Sequence, residues 1–218
     1  MKTHPQHARF AVSNPHGGAY LVASLVGQYI IKKYGVTGKS SVETALCGYN
    51  YGFHPLVPTN LHYGPGNPDD GLETVHKLDP HQKILIKRDL ADCLAAVYLD
   101  HKNNHPNLTE EDFLKGFDGV SGASYFNWNM ERVDFCEVIS YENMVEYPEK
   151  WLTKILHRCI GELNDDGVDL SVVDFVVDQS KVKEYRKNRV IRYNDNVGFA
   201  TTVFNSSQLD FIKSKVPD

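Results

Sequence analysis

The segment Ser13-Asn-Pro-His-Gly-Gly-Ala-Tyr20 stands between a short apolar run and a long stretch of helical periodicity. A helix start exposes backbone amides that have no intrahelical acceptor, together with the positive end of the helix dipole, so a loop in this place suits an anion. Gly17 and Gly18 let the backbone approach a phosphate closely. The segment is not the G-x-x-x-x-G-K-[ST] signature of nucleoside triphosphate sites, because the lysine and the magnesium-binding hydroxyl are both missing. The same residues also suit a tight structural turn.

Three further histidines have spacings that bear on chemistry. His101 and His105 stand four apart beside Asp100, a spacing that can turn two imidazoles toward a metal on one helix face. No third ligand accompanies them and Pro106 follows, so a metal is not expected. His76, within Thr74-Val-His-Lys-Leu78, is an imidazole that can exchange a proton near neutral pH and act as a base. As a loop histidine it needs no such role. There is no G-x-S-x-G elbow, and none of Cys47, Cys93, Cys136 and Cys159 has the sequence context of a nucleophile, so hydrolase chemistry is unsupported.

The elements that must position these groups alternate between strand and helix. Arg9–Ser13 predicts a strand, and Leu21, Val22, Leu25, Val26, Tyr29 and Ile30 recur at helical spacing, with Lys32 and Lys33 in the last turn and Gly35 as its cap. Tyr49–Gly71, rich in aromatics, histidine, proline and glycine without a period, predicts a long irregular loop in which a substrate would sit. Lys83–Lys87 predicts a second strand, and Leu90, Cys93, Leu94, Val97 and Tyr98 the helix after it. Thr109-Glu-Glu-Asp112 caps a short helix ending near Gly116, before a second glycine-rich loop to Asn129. Phe135–Tyr141 predicts a strand, Pro148 opens a helix that Gly161 ends, and a last helix covers about Ser171 to Lys187. This order predicts an α/β fold, a three-layer α/β/α arrangement around a parallel sheet, with ligands beyond the carboxyl ends of the strands.

With 218 residues and 41% apolar composition the chain can bury one full core, and a single domain over 1–218 is the economical expectation. A net charge of -5 argues against broad binding to nucleic acid or anionic lipid, which needs clustered positive surface. The cysteines form no CxxC pair and lie in apolar stretches, which fits a reduced, cytoplasmic compartment. Met1–Arg9 holds no apolar run of the secretory kind, and Ala19–Ile31 is interrupted by Ser24, Gly27 and Gln28 and falls short of the roughly 20 residues that span a bilayer. The sequons at Asn107 and Asn205 are best explained by chance.

Four segments, in order, carry a family resemblance. Pro15-His-Gly-Gly-Ala-Tyr-Leu21 resembles the 5′-phosphosulfate loop of sulfotransferases, P-K-S-G-T-T-W, with His16 at the lysine and Ala19 and Tyr20 at the threonines. Ile84-Leu-Ile-Lys-Arg88-Asp-Leu-Ala-Asp92 is similar to the family's strand running into R-x-x-x-D, with Ala96 where a serine is usual. Val138-Ile-Ser-Tyr-Glu-Asn-Met-Val-Glu-Tyr-Pro148 resembles L-x-Y-E-D-L-x-x-x-P, and Val190-Ile-Arg192-Tyr-Asn-Asp-Asn-Val-Gly198-Phe resembles F-x-R-K-G-x-x-G-D-W.

The resemblance implies a P-loop NTPase-like sulfotransferase fold that takes a sulfuryl group from 3′-phosphoadenosine 5′-phosphosulfate (PAPS) to a hydroxyl or amine of a small-molecule or carbohydrate acceptor, without a metal. It implies nucleotide contacts from Pro15, His16, Gly17, Gly18, Ala19 and Tyr20. Arg88 would bind the 3′-phosphate, Tyr141 would lie near the adenine, Glu142 would be a structural hydrogen-bonding partner, and Arg192 would add a second cation. His76 matches the histidine of K-T-H-L and would be the base, while His16 would donate to the phosphates in place of the lysine. The alternative is a catalytically inactive module that binds the desulfated nucleotide, phosphoadenosine phosphate (PAP). A nucleotide kinase ranks third, since its lysine and magnesium ligand are missing.

Overall fold

The computed structural model describes residues 10–14, 16–34, 59–62, 79–115, 136–160, 168–177 and 197–215. Four strands, β1 (Phe10–Ser13), β2 (Thr59–His62), β3 (Lys83–Lys87) and β4 (Glu137–Ser140), form a sheet of order β2-β1-β3-β4. Every pairing is parallel, as the strand-helix alternation predicts. Helices α1 (Ala19–Tyr34), α2 (Leu90–Asn104), α3 (Glu110–Leu114), α4 (Tyr141–Glu146), α5 (Pro148–Ile160), α6 (Leu170–Val177) and α7 (Ser206–Ser214) complete the described elements with 3-10 turns at Pro80–Gln82 and Phe199–Thr202.

In register, Ala11 lies beside Ile84, and Ile86 beside Ile139, so these side chains share one face of the sheet. That face packs under α1, α5 and α6 through Val22, Val26, Ile30, Leu152, Leu156 and Val173, all buried. Asp169 donates its amide to the buried Tyr29 hydroxyl at 2.8 Å and so anchors the start of α6 on α1. A second cluster joins α2, α3 and α7 through Leu94, Tyr98, Phe113, Phe204 and Ile212. Among the described residues no helix is long and apolar enough to cross a membrane.

Three elements differ from the sequence expectation. The proposed Tyr49–Gly71 loop contains β2 at Thr59–His62, a strand made by pairing with β1, since Thr-Asn-Leu-His has no alternation of its own. The strand predicted to reach Tyr141 stops at Ser140, whose hydroxyl accepts from the Asn143 amide at 3.2 Å and caps α4. The helix near Ser171 is not the last one. Asn205, read only as a chance sequon, caps α7 in a reciprocal box with Gln208, at 2.9 and 3.0 Å. The part of the expected Ser171–Lys187 helix beyond Val177, and the loop to Asn129, lie outside the described residues.

Candidate functional site

The carboxyl ends of β1, β3 and β4 bring residues 13–14, 16–18, 88–92 and 140–142 to one edge of the sheet. In the order β2-β1-β3-β4 the chain reverses its direction of winding between β1 and β3, the position at which doubly wound sheets bind ligands.

Ser13 closes the base of the first loop. Its Oγ donates to the Asn14 carbonyl at 2.8 Å and accepts from the Ala19 amide at 3.2 Å, while the Gly17 amide donates to the same Asn14 carbonyl at 2.8 Å. The first intrahelical bond of α1 runs from the Val22 amide to the Gly18 carbonyl at 3.1 Å. By helix geometry the Tyr20 and Leu21 amides stand in the first turn of α1, where a helix has no intrahelical acceptor for them, an arrangement suited to an anion.

Each glycine has a local reason. A Cβ on Gly17 would lie 2.8 Å from the Asn14 carbonyl oxygen and 2.9 Å from Ser13 Cβ. Gly18 has φ 106°, and a Cβ there would lie 2.7 Å from the Tyr141 ring. Tightness within the loop and against Tyr141 therefore explains both positions before any phosphate is considered.

Arg88 follows β3 and is 8% exposed. Its Nη1 donates to the His16 carbonyl at 2.9 Å, and its guanidinium carbon stands 4.4 Å from the centre of the Tyr141 ring. Tyr141 is buried, so Gly18, Tyr141 and Arg88 form a packed stack beneath the loop. Next to it, Glu142 accepts from the Asp89 amide at 2.9 Å and from the Ser140 hydroxyl at 2.8 Å. This is the structural hydrogen-bonding role the resemblance implies, and it ties the start of α2 to the start of α4.

His16 has φ 58°, the left-handed region, and is the one non-glycine with positive φ among the described residues. Its Nε2 lies 3.0 Å from Asp100 Oδ2 on α2, with the two side chains 31% and 41% exposed. Asp92, buried on the first turn of α2, accepts from the Gly198 amide at 2.8 Å and the Ala200 amide at 2.7 Å. One carboxylate thereby fastens the 197–204 turn to the helix that follows Arg88.

Of the expected site residues, His16, Gly17, Gly18, Ala19, Arg88 and Tyr141 come together at this corner. Pro15, His76, Arg192 and the Tyr20 side chain lie outside the described residues. His101 and His105 act locally: the His105 amide donates to the His101 carbonyl at 2.8 Å, and the His101 ring meets Phe113 edge-on at 5.9 Å. Among the described residues no group of three or more His, Cys, Asp or Glu could hold a metal. Burial pushes the Cys93 thiol up to about 12, so this cysteine beside the site is no nucleophile.

Sequence reasoning gave Asp100 no part in the loop and Ser13 only the place of its first residue. Ser13 has a signal, a hydroxyl directly before the turn, whereas nothing local connects Asp100 with His16. Fold and loop together define a parallel α/β protein with an anion-suited turn at the β1–β3 switch point. No protein-family model matches the chain, and no curated protein does either.

Proposed function

We propose that the chain is a PAPS-dependent sulfotransferase of compact, P-loop NTPase-like three-layer fold, acting on a hydroxyl or amine of a small-molecule or carbohydrate acceptor. The observation that carries the reading is the meeting of three separate motif segments at one corner: the His16-Gly17-Gly18 turn, Arg88 and Tyr141. Asp92 adds the fourth segment by binding the Gly198 turn. Sulfuryl transfer needs little more from a protein than in-line placement and donors aimed at the leaving phosphate. The Tyr20 and Leu21 amides supply such donors at the start of α1. Arg88 holds the loop through Nη1, and the rest of its guanidinium keeps the 3′-phosphate role that the resemblance implies. Arg192 and His76 keep the second-cation and base roles that the resemblance implies.

The second reading, a binding module without turnover, is favoured by His16 at the lysine position, its Nε2 turned to Asp100. Calorimetry with PAP and with ATP tests the nucleotide class: PAP is expected to bind, and tight ATP binding without PAP binding would sink the proposal. A radiolabelled-sulfate screen over phenols, sugars and amines then separates enzyme from binder.

A further inference from the structure

Tyr141 opens α4 at the carboxyl end of β4 and is 2% exposed. One edge of its ring lies against Gly18, where a Cβ would stand 2.7 Å from Cδ2 and 3.2 Å from Cε2, and the Arg88 guanidinium carbon is 4.4 Å from the ring centre. A base stacks on an aromatic side chain only where a ring face is open to it. Buried to this degree, Tyr141 offers no such face, so the place near the adenine that the resemblance implies is not one of stacking.

What the ring does meet is a cation. Arg88 is itself buried, and a guanidinium drawn to a ring where water is excluded is held more firmly than one at the surface. The His16 carbonyl fixes Nη1 at a second point, 2.9 Å away. An arginine presents its donors in one rigid fork that matches a phosphate, and a long side chain already held at two points loses less freedom when a ligand arrives. We propose that Tyr141 is a positioning residue for Arg88, and that through this contact the site selects nucleotides carrying a 3′-phosphate over those ending in a 3′-hydroxyl. The inference rests on the PAPS reading and adds its selectivity: the ring acts on the phosphate end, through the arginine, and not on the base.

Calorimetry on the full chain with PAP and with adenosine 5′-phosphate (AMP), which lacks only the 3′-phosphate, reads this selectivity as a ratio of affinities. The series starts from Tyr141→Phe and continues with phenylalanines of increasing ring fluorination at the same position. These keep the shape beneath Gly18 while draining the negative charge from the ring face that attracts a cation. Ring-fluorinated tyrosines, which keep the hydroxyl, serve the same purpose if the Tyr141→Phe chain does not fold. The PAP-to-AMP ratio should fall stepwise, roughly tenfold over the series. In an Arg88→Met background the same series should leave the ratio flat, because the ring then has no cation to hold. Equal losses for PAP and AMP, a ratio that does not move, or a fall that persists in Arg88→Met overturns the inference while the nucleotide reading stands. An unsubstituted chain that binds PAP no better than AMP overturns the inference as well. Absence of PAP binding overturns both together.

Discussion

The corner at the β1–β3 switch point and the aromatic cluster between α2, α3 and α7 are built on opposite terms. At the corner, two residues with positive φ, two glycines without room for a Cβ and a buried arginine are packed into one turn. In the cluster, Tyr98 of α2 lies tilted against Phe113 of α3 at 5.5 Å and against Phe204, just before α7, at 6.1 Å. Its polar groups pair among themselves: the Tyr98 hydroxyl donates to Glu110 at 2.6 Å and accepts from Lys102 at 2.7 Å. The cluster lowers the free energy of the fold, whereas the corner holds its residues in conformations that packing elsewhere must support. Asp92 connects the two, since Ala200 and Phe204 of its turn belong to the cluster.

The comparison breaks most readily at Gly18. Gly18→Ala places a Cβ at 2.7 Å from Tyr141 and forces it into φ 106°, so overpacking and backbone strain should together cost about 4 kcal/mol. Gly198→Ala has a φ of 81° but nothing within 4 Å, and should cost only about 1 kcal/mol. Urea unfolding of the two variants measures how much of the Gly18 effect is contact with Tyr141. Equal losses would mean that the stack beneath the loop is not tight.

Next in size is Asp92→Ala, which strands the Gly198 and Ala200 amides and should cost about 3 kcal/mol. Hydrogen exchange is expected to accelerate at Ala200 and along α7 more than in α1. A uniform change over the whole chain would deny that Asp92 is the link between corner and cluster.

The smallest effect belongs to the cluster's polar edge. Tyr98→Phe should cost about 1 kcal/mol at neutral pH. The Tyr98 hydroxyl holds the Glu110 carboxyl below its ordinary value of 4.5. A carboxyl lowered in the native state stabilises above that ordinary value, and the contribution is lost as pH falls through the native one. The Tyr98→Phe penalty should therefore shrink in acid, and thermal unfolding at neutral pH and below pH 4.5 checks it.

Much of the frame was legible along the chain because its signals are local. Lys83–Lys87 and the helix opening at Pro148 appear where apolar runs and proline place them, and Thr109 caps α3 through the Asp112 amide at 3.1 Å. β2 was not legible, since four residues without alternation become a strand only when β1 offers its edge. α7 could have been read from Asn205 and Gln208, a capping box hidden under a sequon.

Local chemistry, then, was enough to specify where α3 and α5 begin, where β3 runs, and that a glycine turn precedes α1, because each depends on neighbours a few residues away. Tertiary packing alone decided that Gly18 answers to Tyr141, that Arg88 serves the His16 carbonyl, and that Asp100 meets His16. Those contacts join residues far apart in the chain, and only the parallel stacking of β1, β3 and β4 brings their loops to a common edge.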